Sequence, residues 1–361
     1  MPWPTPQYSR SEVNRAGDVL RQQDYDSDNW LDAMDVMSNW RSCHGYPINT
    51  FQATLREKLT MIEQDAIVAQ RLKRTPSIIS KLKRFPKMDL ARMQDMGGVR
   101  AVVSSLDKAR ELRLSYQNSR FEHELVDKKD YIAQPKTSGY RSIHLVYRYK
   151  NRRAPEYDGL FLELQIRTRL QHAWAVAVET MGIFLNQSLK SSEGSDRWLN
   201  FFALTGAAFA HIENSPPVPG YESISQSDLY KSVTEDARGL NVYHQLEGLT
   251  VAAHFISSEQ RRAAYHLIVL DPVGRSVMIQ SFGRKHLDEA NRVYIAEEEK
   301  IAGGAPHQAV LVSTGSIDSL RRAYPSYFLD SQQFLTELGR IEQTAYRPVN
   351  KKGRRGPKSG R

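Results

Sequence analysis

The segment LFLELQIRT, residues 160–168, constrains the fold most strongly because apolar and polar side chains alternate along it. Successive side chains of a β-strand point to opposite faces, so the alternation predicts a strand with one buried face. The apolar face carries Leu160, Leu162, Leu164 and Ile166, and the opposite face carries Phe161, Glu163, Gln165 and Arg167. An acid, an amide and a cation in line on one face favour a functional site. A sheet surface that faces solvent gives the same pattern, so this strand alone does not decide between them.

A second predicted strand, GGVRAVV at residues 97–103, begins shortly after Asp95. Val99, Ala101 and Val103 take one face, and Arg100 takes the other, beside Asp95 at the start of the strand. Asp95 and Glu163 therefore place two carboxylates on different strands of one sheet. Two neighbouring carboxylates suit Mg²⁺, which prefers oxygen ligands and substrate phosphates.

The segment TPSIISKLKR, residues 75–84, predicts a short helix with one basic face. Its first two residues suit the cap and the first helical position. Helical spacing then places Ser77, Lys81 and Arg84 on one face and the apolar residues on the other. Three further cations, Arg71, Lys73 and Arg74, precede it. A solvated basic face gives this pattern too, but beside two carboxylates the cations suit a triphosphate.

Residues 130–149, DYIAQPKTSGYRSIHLVYRY, combine a polar, bend-prone loop with a predicted strand over 143–149. Proline, serine and glycine allow the chain to turn sharply. The two cations of this loop, Lys136 and Arg141, suit the phosphates of a nucleotide.

In the N-terminal part the pattern also predicts helices over residues 9–44, 48–72, 169–184 and 198–213 and a strand over 121–126. In the C-terminal part it predicts a hairpin over 264–282, a helix over 285–302, a strand over 307–313 and helices near 316–323 and 330–341.

Composition sets the wider limits. A chain of 361 residues predicts about two domains, and 40% hydrophobic with 25% charged residues is typical of a folded soluble protein. The net charge of +9 falls to +3 without the six cations of residues 351–361. These residues predict a disordered basic tail, which could contact nucleic-acid phosphates or could simply aid solubility. The sequence has one cysteine, and it shows neither a signal-like N-terminus nor a long apolar run. These features predict a cytoplasmic protein without a membrane span.

Several nucleotide and metal signatures are missing from the sequence, including the P-loop, the glycine-rich dinucleotide fingerprint, HExxH and paired Cys-His spacings. What remains is a basic half-chain with two carboxylates on one sheet. Phosphoryl-type transfer needs positioning and charge neutralisation more than covalent help. The residues alone therefore predict metal-assisted transfer on a nucleotide.

Four segments in this order, RLKRTPSIISKLKR, DMGGVR, DYIAQPKTSGYRSIH and LELQIRT, resemble the synthetase domain of the RelA/SpoT family. The resemblance spans about residues 71–180. It implies an α+β fold with a nucleotidyltransferase-like mixed sheet flanked by helices, covering residues 40–214. It also implies an enzyme that moves the β,γ-pyrophosphate of ATP onto a ribose 3′-hydroxyl and releases AMP, with Mg²⁺ as cofactor.

By position, the resemblance implies roles for individual residues. Those implied to contact ATP are Arg71, Lys73, Ser77, Lys81, Arg84 and Arg100. Asp95 resembles a Mg²⁺ ligand, and Glu163 resembles the acid that binds metal or draws the proton from the attacking hydroxyl. Gln165 resembles its orienting neighbour. No motif chooses between Arg110 and Arg113 as the arginine that closes over adenine.

The loop of residues 131–142, called the acceptor loop below, resembles the segment that meets the acceptor. Lys136 and Arg141 would contact its phosphates, and Tyr140 would stack on its base. Ser138 lets the loop bend, and His144 would line the same pocket.

Domain organisation follows from composition and resemblance together. We expect a synthetase domain at residues 1–214, a smaller α+β domain of regulatory, antitoxin-like type at 215–345, and a disordered basic tail at 346–361. The proline-rich segment NSPPVPGYE, residues 214–222, marks the boundary. Nothing before residue 70 resembles the His-Asp hydrolase domain of long family members, so we expect no alarmone hydrolysis.

Three readings of the acceptor stay open. The segment RTRLQHAWAVAVET departs from the usual ending of this motif in alarmone-making relatives and resembles more closely the fused toxin–antitoxin group called CapRel. This resemblance implies transfer to the 3′-CCA end of tRNA, a block of translation and a phage-protein trigger. Synthesis of (p)ppGpp from GDP or GTP is the alternative, and an inactive nucleotide-binding sensor is the third. Tyr324 and Tyr327 resemble the CapRel element that folds over the ATP site, which predicts autoinhibition, although two core aromatic residues give the same pattern.

Overall fold

A computed structural model of the chain describes residues 3–22, 27–73, 75–119, 122–185, 189, 194–248, 263–271, 276–302, 305, 307–313 and 327–346. The described residues form a mixed five-stranded sheet and an antiparallel three-stranded sheet, both packed against helices. This architecture confirms the predicted α+β fold class with a second, smaller α+β region.

Three helices precede the first sheet: α1 (Arg10–Gln22), α2 (Asp28–Cys43) and α3 (Gly45–Ile62). The prediction of a helix continuing to residue 72 was wrong at its end, because α3 stops at Ile62 and the chain turns at residues 64–65. Strand β1 (Ile67–Leu72) follows and pairs antiparallel with the next strand. This pairing brings the end of β1 to the start of its neighbour.

The five-stranded sheet has the order β1-β2-β5-β4-β3. Its remaining strands are β2 (Gly97–Val103), β3 (Glu124–Asp130), β4 (Ile143–Arg148) and β5 (Phe161–Thr168), joined by α4 (Thr75–Arg84) after β1 and α5 (Leu106–Gln117) after β2. The pair β2–β5 is parallel and the others are antiparallel. Strand β3 starts later than predicted and runs on through polar residues, because its backbone pairs with β4.

The two faces of β5 differ as the alternation predicts. Its leucines and Ile166 are buried in the core against the helices. In the register of the sheet, Glu163 lies opposite Gly98 of β2, and Gln165 lies between Arg100 of β2 and His144 of β4. The polar face of the sheet therefore gathers side chains from three adjacent strands.

The C-terminal part begins with helices α6 (Arg169–Phe184), α7 (Asp196–Ile212) and α8 (Gln226–Gly239), and residues 242–248 are also helical. The second sheet, in the order β7-β6-β8, contains β6 (Tyr265–Asp271), β7 (Ser276–Phe282) and β8 (Gln308–Ser313). Helices α9 (Leu287–Ala302) and α10 (Tyr327–Ala345) complete it. The predicted helix near 316–323, Tyr324 and the basic tail lie outside the described residues, as does the side chain of Tyr327.

One buried apolar cluster joins α6, α7 and α8 to α10 and to the second sheet. Phe334 of α10 is fully buried, with its ring 5.7 Å from that of Phe209 and 6.4 Å from that of Phe202, both on α7. The core therefore continues across residues 214–222, and the domain division there stays a prediction. None of the described helices is long and apolar enough to cross a membrane.

Candidate active site

An open cleft lies on the polar face of the first sheet, where β1, β2 and β5 run side by side. It is shallow, encloses about 20 Å³ and opens to solvent. The cleft is lined by Ala69, Gln70, Asp95, Gly98, Val99, Arg100, Glu163 and Gln165. The two carboxylates predicted to act together thus share one cavity.

Asp95 lies in the turn before β2 and accepts hydrogen bonds from two lysines. Nζ of Lys73 lies 2.6 Å from Oδ2, and Nζ of Lys81 lies 2.8 Å from Oδ1. The backbone N–H of Lys73 also donates to the carbonyl of Met96 at 2.7 Å, which ties the end of β1 to the start of β2. Burial raises the pKa of Asp95, but the two ammonium groups outweigh burial and hold it well below its ordinary value.

Glu163 is fixed at both oxygens by neighbours on the same face. Nδ1 of His144 lies 2.6 Å from Oε1, and Nε2 of Gln165 donates to Oε2 at 2.7 Å. A Cβ placed on Gly98 would lie 3.0 Å from the Glu163 carbonyl oxygen, so glycine permits this close approach of β2 to β5. Burial and the charge of Asp95 raise the pKa of Glu163, whereas His144 and Gln165 lower it, leaving it at about 2.

The polar contacts continue from His144 to Tyr140 and Arg167. The Tyr140 hydroxyl lies 2.7 Å from Nε2 of His144 and accepts a 2.8 Å hydrogen bond from Nη2 of Arg167. Burial raises the pKa of Tyr140, but Arg167 and His144 outweigh it and lower the pKa to about 7. Burial lowers the pKa of His144, but Tyr140 and Glu163 raise it above its ordinary value. Carboxylate, imidazole, phenol and guanidinium therefore form one connected chain.

The residues of the cleft fit Mg²⁺. In the described ranges no three His, Cys, Asp or Glu side chains come together as a complete metal site. Two carboxylates are nevertheless enough for Mg²⁺, because this ion keeps several waters and takes further ligands from substrate phosphates. Asp95 and Glu163 would hold the ion, since each carboxylate oxygen has a second lone pair beyond its present hydrogen bond.

The acceptor loop presents a small aromatic surface. Nζ of Lys136 lies 4.6 Å from the ring centroid of Tyr131 and 5.5 Å from that of Tyr140. The Tyr131 ring meets those of Tyr140 and His144 edge-on, at 5.8 and 5.4 Å. Ser138 lines a second cavity behind the loop, together with Tyr140 and Trp174. The loop therefore holds a cation and two rings beside Glu163.

Arg141 does not join this surface. It is buried, and its Nη1 donates to Glu213 at 2.8 Å and to Ser215 at 2.9 Å, both beyond the synthetase motifs. The expected contact of Arg141 with acceptor phosphates is therefore not supported, because the guanidinium is committed to a buried ion pair.

The remaining predicted residues differ in placement. Arg100 is buried in the cleft wall, with its Nε 3.4 Å from Oε1 of Gln165. Ser77 and Arg84 are exposed on α4, and the side chain of Arg71 lies outside the described set. Neither candidate for the adenine position is selected: Arg110 pairs with Asp107 and Arg113 with Asp130, at 3.1 and 2.6 Å.

Two site residues were missed by the sequence reasoning. Arg167 appeared there only as a cation in line with Glu163, yet it is 1% exposed and holds the Tyr140 hydroxyl. Tyr131 was passed over inside the loop segment. The signal for Arg167 was available, because strand alternation already places it on the face of Glu163 and Gln165.

Comparison with known proteins matches the segment of the chain that contains both carboxylates of the cleft. Residues 70–183 match the family described as "Region found in RelA / SpoT proteins". The GTP pyrophosphokinase YjbM of Bacillus subtilis is 34% identical over 110 residues, which cover 30% of this chain and 52% of YjbM. YwaC, a second GTP pyrophosphokinase of that organism, is 32% identical over 113 residues, covering 29% of this chain and 52% of YwaC. The chain thus spans about half the length of these curated relatives.

Among solved structures, the small alarmone synthetase 1 of Bacillus subtilis bound to its product pppGpp is 23% identical. The superposition covers 47% of this chain and 89% of that chain, with a TM-score of 0.42. The matched family segment contains Asp95, Glu163 and the whole acceptor loop.

Proposed function

We propose that this chain is a pyrophosphokinase that transfers the β,γ-pyrophosphate of ATP to a ribose 3′-hydroxyl, because residues 70–183 match the region found in RelA and SpoT proteins. The observation that carries the proposal is the shared cleft of Asp95 and Glu163, with Lys73 and Lys81 on one side and the acceptor loop on the other. The curated relatives named as GTP pyrophosphokinases support the reaction class.

In the proposed reaction the 3′-oxygen of the acceptor attacks the β-phosphorus of ATP. The bond between the β-phosphorus and the α,β-bridging oxygen breaks, AMP leaves with that oxygen, and the hydroxyl proton passes to the Glu163 carboxylate. His144 and Gln165 orient this carboxylate, which its low pKa keeps ionised at neutral pH. Mg²⁺ bound by Asp95 and Glu163 would neutralise charge on the triphosphate.

Lys73 and Lys81 carry the ATP side of the proposal. In the structure both ammonium groups neutralise Asp95. A bound triphosphate offers them other anionic oxygens, and the positions just after β1 and on α4 keep them at the cleft. Charge neutralisation by positioned cations is the main demand of phosphoryl-type transfer.

For the acceptor we favour the 3′ end of an RNA such as tRNA. With Arg141 buried, Lys136 is the exposed cation within residues 131–142, all of which the structure describes. A free guanosine nucleotide brings two or three 5′-phosphates that need several cations, whereas an RNA 3′ end brings one phosphodiester at that position. Tyr140 and Tyr131 would supply the rings for the terminal base, where stacking contributes about 1–3 kcal/mol per base.

The second candidate acceptor is GDP or GTP, which would make the product (p)ppGpp. It is favoured by the relatives, since both are named as GTP pyrophosphokinases. A labelling experiment separates the candidates: the full chain is incubated with Mg²⁺, ATP labelled at the β-phosphate, and tRNA, GDP or GTP in turn. Label on tRNA alone supports the RNA acceptor, and label on the nucleotide alone overturns it. The Tyr324→Ala/Tyr327→Ala double variant, expected to lack the restraint proposed below, is assayed alongside. Label on neither acceptor from either chain, with ATP intact, favours an inactive nucleotide-binding sensor.

We further propose that the C-terminal part restrains the synthetase region, as the antitoxin-like half of a fused toxin–antitoxin in anti-phage defence. The restraint assigned to Tyr324 and Tyr327 stays a prediction. Replacing both tyrosines with alanine is expected to slow growth of cells that express the chain, and adding Glu163→Gln is expected to restore it. Unchanged growth with the double alanine variant at equal protein levels contradicts the restraint.

A further inference from the structure

Helix α7 lies beyond the segment that matches the family, yet it touches the acceptor loop at two places. The first contact joins the backbones of Gly139 and Gly206. A Cβ on Gly206 would lie 2.6 Å from the Cα of Gly139, and a Cβ on Gly139 would lie 2.9 Å from the carbonyl oxygen of Phe202. The φ of Gly139 is +86°, a conformation that favours glycine. The loop therefore rests directly on the backbone of α7.

The second contact is the ion pair between Arg141 and Glu213 at the end of α7. The side chains are only 2% and 10% exposed, and Nη1 lies 2.8 Å from Oε2. Glu213 also accepts hydrogen bonds from the Thr168 hydroxyl and, at 3.0 Å, from Nε2 of Gln171. A buried guanidinium is strongly destabilising without its partner, so this pair fixes where Arg141 can lie.

Tyr140 stands between the two anchored residues in sequence. Gly139 is held on one side of it and Arg141 on the other, which leaves its ring little freedom to move. The hydroxyl of Tyr140 then meets His144 and Arg167 on the sheet. A displacement of about 1 Å in a group that positions substrate is enough to lower a rate by 10²-fold.

We propose that Gly206 and Glu213 are positioning residues that set acceptor binding by holding the acceptor loop on α7. The inference rests on the proposed function, because it assigns Tyr140 and its neighbours to the acceptor. The ATP-side groups Lys73, Lys81 and Asp95 lie on other elements, so the two substrates should respond differently to changes on α7.

The test compares Glu213→Gln and Gly206→Ala with the matched control Glu222→Gln in the full chain. Glu213→Gln removes the ion pair, and Gly206→Ala pushes the loop away while alanine favours the helix itself. Glu222 is exposed, and its carboxylate accepts a hydrogen bond from the nearby backbone N–H of Gly220 at 2.9 Å. Both α7 variants are expected to raise KM for the acceptor about tenfold or more, with KM for ATP within about twofold of the original and the control unchanged.

Amide hydrogen exchange provides a readout that does not need activity. In both α7 variants we expect faster exchange at Gly139, whose N–H donates to the carbonyl of Lys136, and unchanged exchange along β4 and β5. Equal rises in both KM values, or an acceptor loop that exchanges as in the original chain, overturn the inference. If neither the original chain nor its Tyr324→Ala/Tyr327→Ala variant transfers label to any acceptor, the proposed function fails, while the exchange comparison still decides whether α7 anchors the loop. A Glu213→Gln variant that unfolds leaves Gly206→Ala to give the same decision.

Discussion

The two walls of the cleft are built in different ways. On the side proposed for ATP, Asp95 is held by two lysines with long side chains. On the side proposed for the acceptor, Glu163 begins a hydrogen-bonded chain that continues through the rings of His144 and Tyr140 to the buried Arg167. Flexible cations can exchange a carboxylate for a phosphate, whereas linked rings hold one geometry. The comparison indicates that one wall neutralises charge and the other fixes position.

The largest expected effect is on the rigid wall, at Glu163. Glu163→Gln keeps the shape but removes the proton acceptor, so we expect transfer to fall by about 10²-fold or more while the chain stays folded. Label transfer and thermal unfolding measure the two properties. Glu124→Gln is the matched control, because Glu124 is exposed on β3 and pairs with Arg148. Normal transfer by Glu163→Gln would remove the catalytic side of the comparison.

The next largest effect is expected on the flexible wall. Lys81→Ala removes one cation from Asp95 and from the triphosphate, so KM for ATP should rise about tenfold with KM for the acceptor little changed. Lys83→Ala is the control, since Lys83 is exposed on the same helix. Steady-state kinetics with each substrate varied in turn give both constants. A rise confined to the acceptor constant would reverse the assignment of the two walls.

The rigid wall should also have a pH signature in stability. The folded chain lowers the pKa of Tyr140 from about 10 to about 7, so between these values the unfolded chain binds more protons and the Tyr140 contribution grows as pH rises. Unfolding by denaturant should therefore show the original chain gaining on Tyr140→Phe from pH 7 to pH 9, by at most about 1.4 kcal/mol per pH unit.

Tyr147→Phe is the control for that experiment. Burial raises the pKa of Tyr147 to about 12, so its ionisation lies above the tested range and the difference from the original chain should stay constant. If the difference between the original chain and Tyr140→Phe also stays constant, the Tyr140 phenol remains protonated in the folded chain. The rigid wall would then contain no tyrosinate.

The smallest effect is expected at the exposed edge of the acceptor loop. Lys136→Ala should raise KM for tRNA a few-fold at low salt and less at high salt, because a single phosphate contact carries a modest, screened attraction. Lys128→Ala is the control, being exposed on the adjacent strand β3. A loss that does not depend on salt would assign Lys136 to packing on the two tyrosine rings instead of to phosphate binding.

Local patterns predicted the parts of the molecule that depend on local sequence. Alternation in residues 160–168 gave the buried face of β5 and the common side of Glu163 and Gln165, and the cleft brings Asp95 there as expected. The helix predicted to residue 72 failed because strand pairing with β2 overrides helical propensity. Such pairing depends on a partner that is distant in sequence.

The role of Arg141 lay beyond sequence reasoning for the same reason. Its motif resembles a phosphate contact, but Glu213 on α7, far along the chain, takes the guanidinium. Arg167 is a milder case, since its face was predictable while its hydrogen bond to Tyr140 needed the register of β4 against β5. Side-chain direction within a strand is a local property, whereas pairing between elements is not.

Phe334 of α10 packs against two phenylalanines of α7, so truncating the chain before α10 would expose part of the core. A chain that ends at residue 214 would lack α8 and α10 and would expose apolar side chains of α6 and α7 to solvent. We therefore expect the shortened chain to aggregate. Release of the proposed restraint would then have to occur in a chain that keeps α10 packed on α6 and α7.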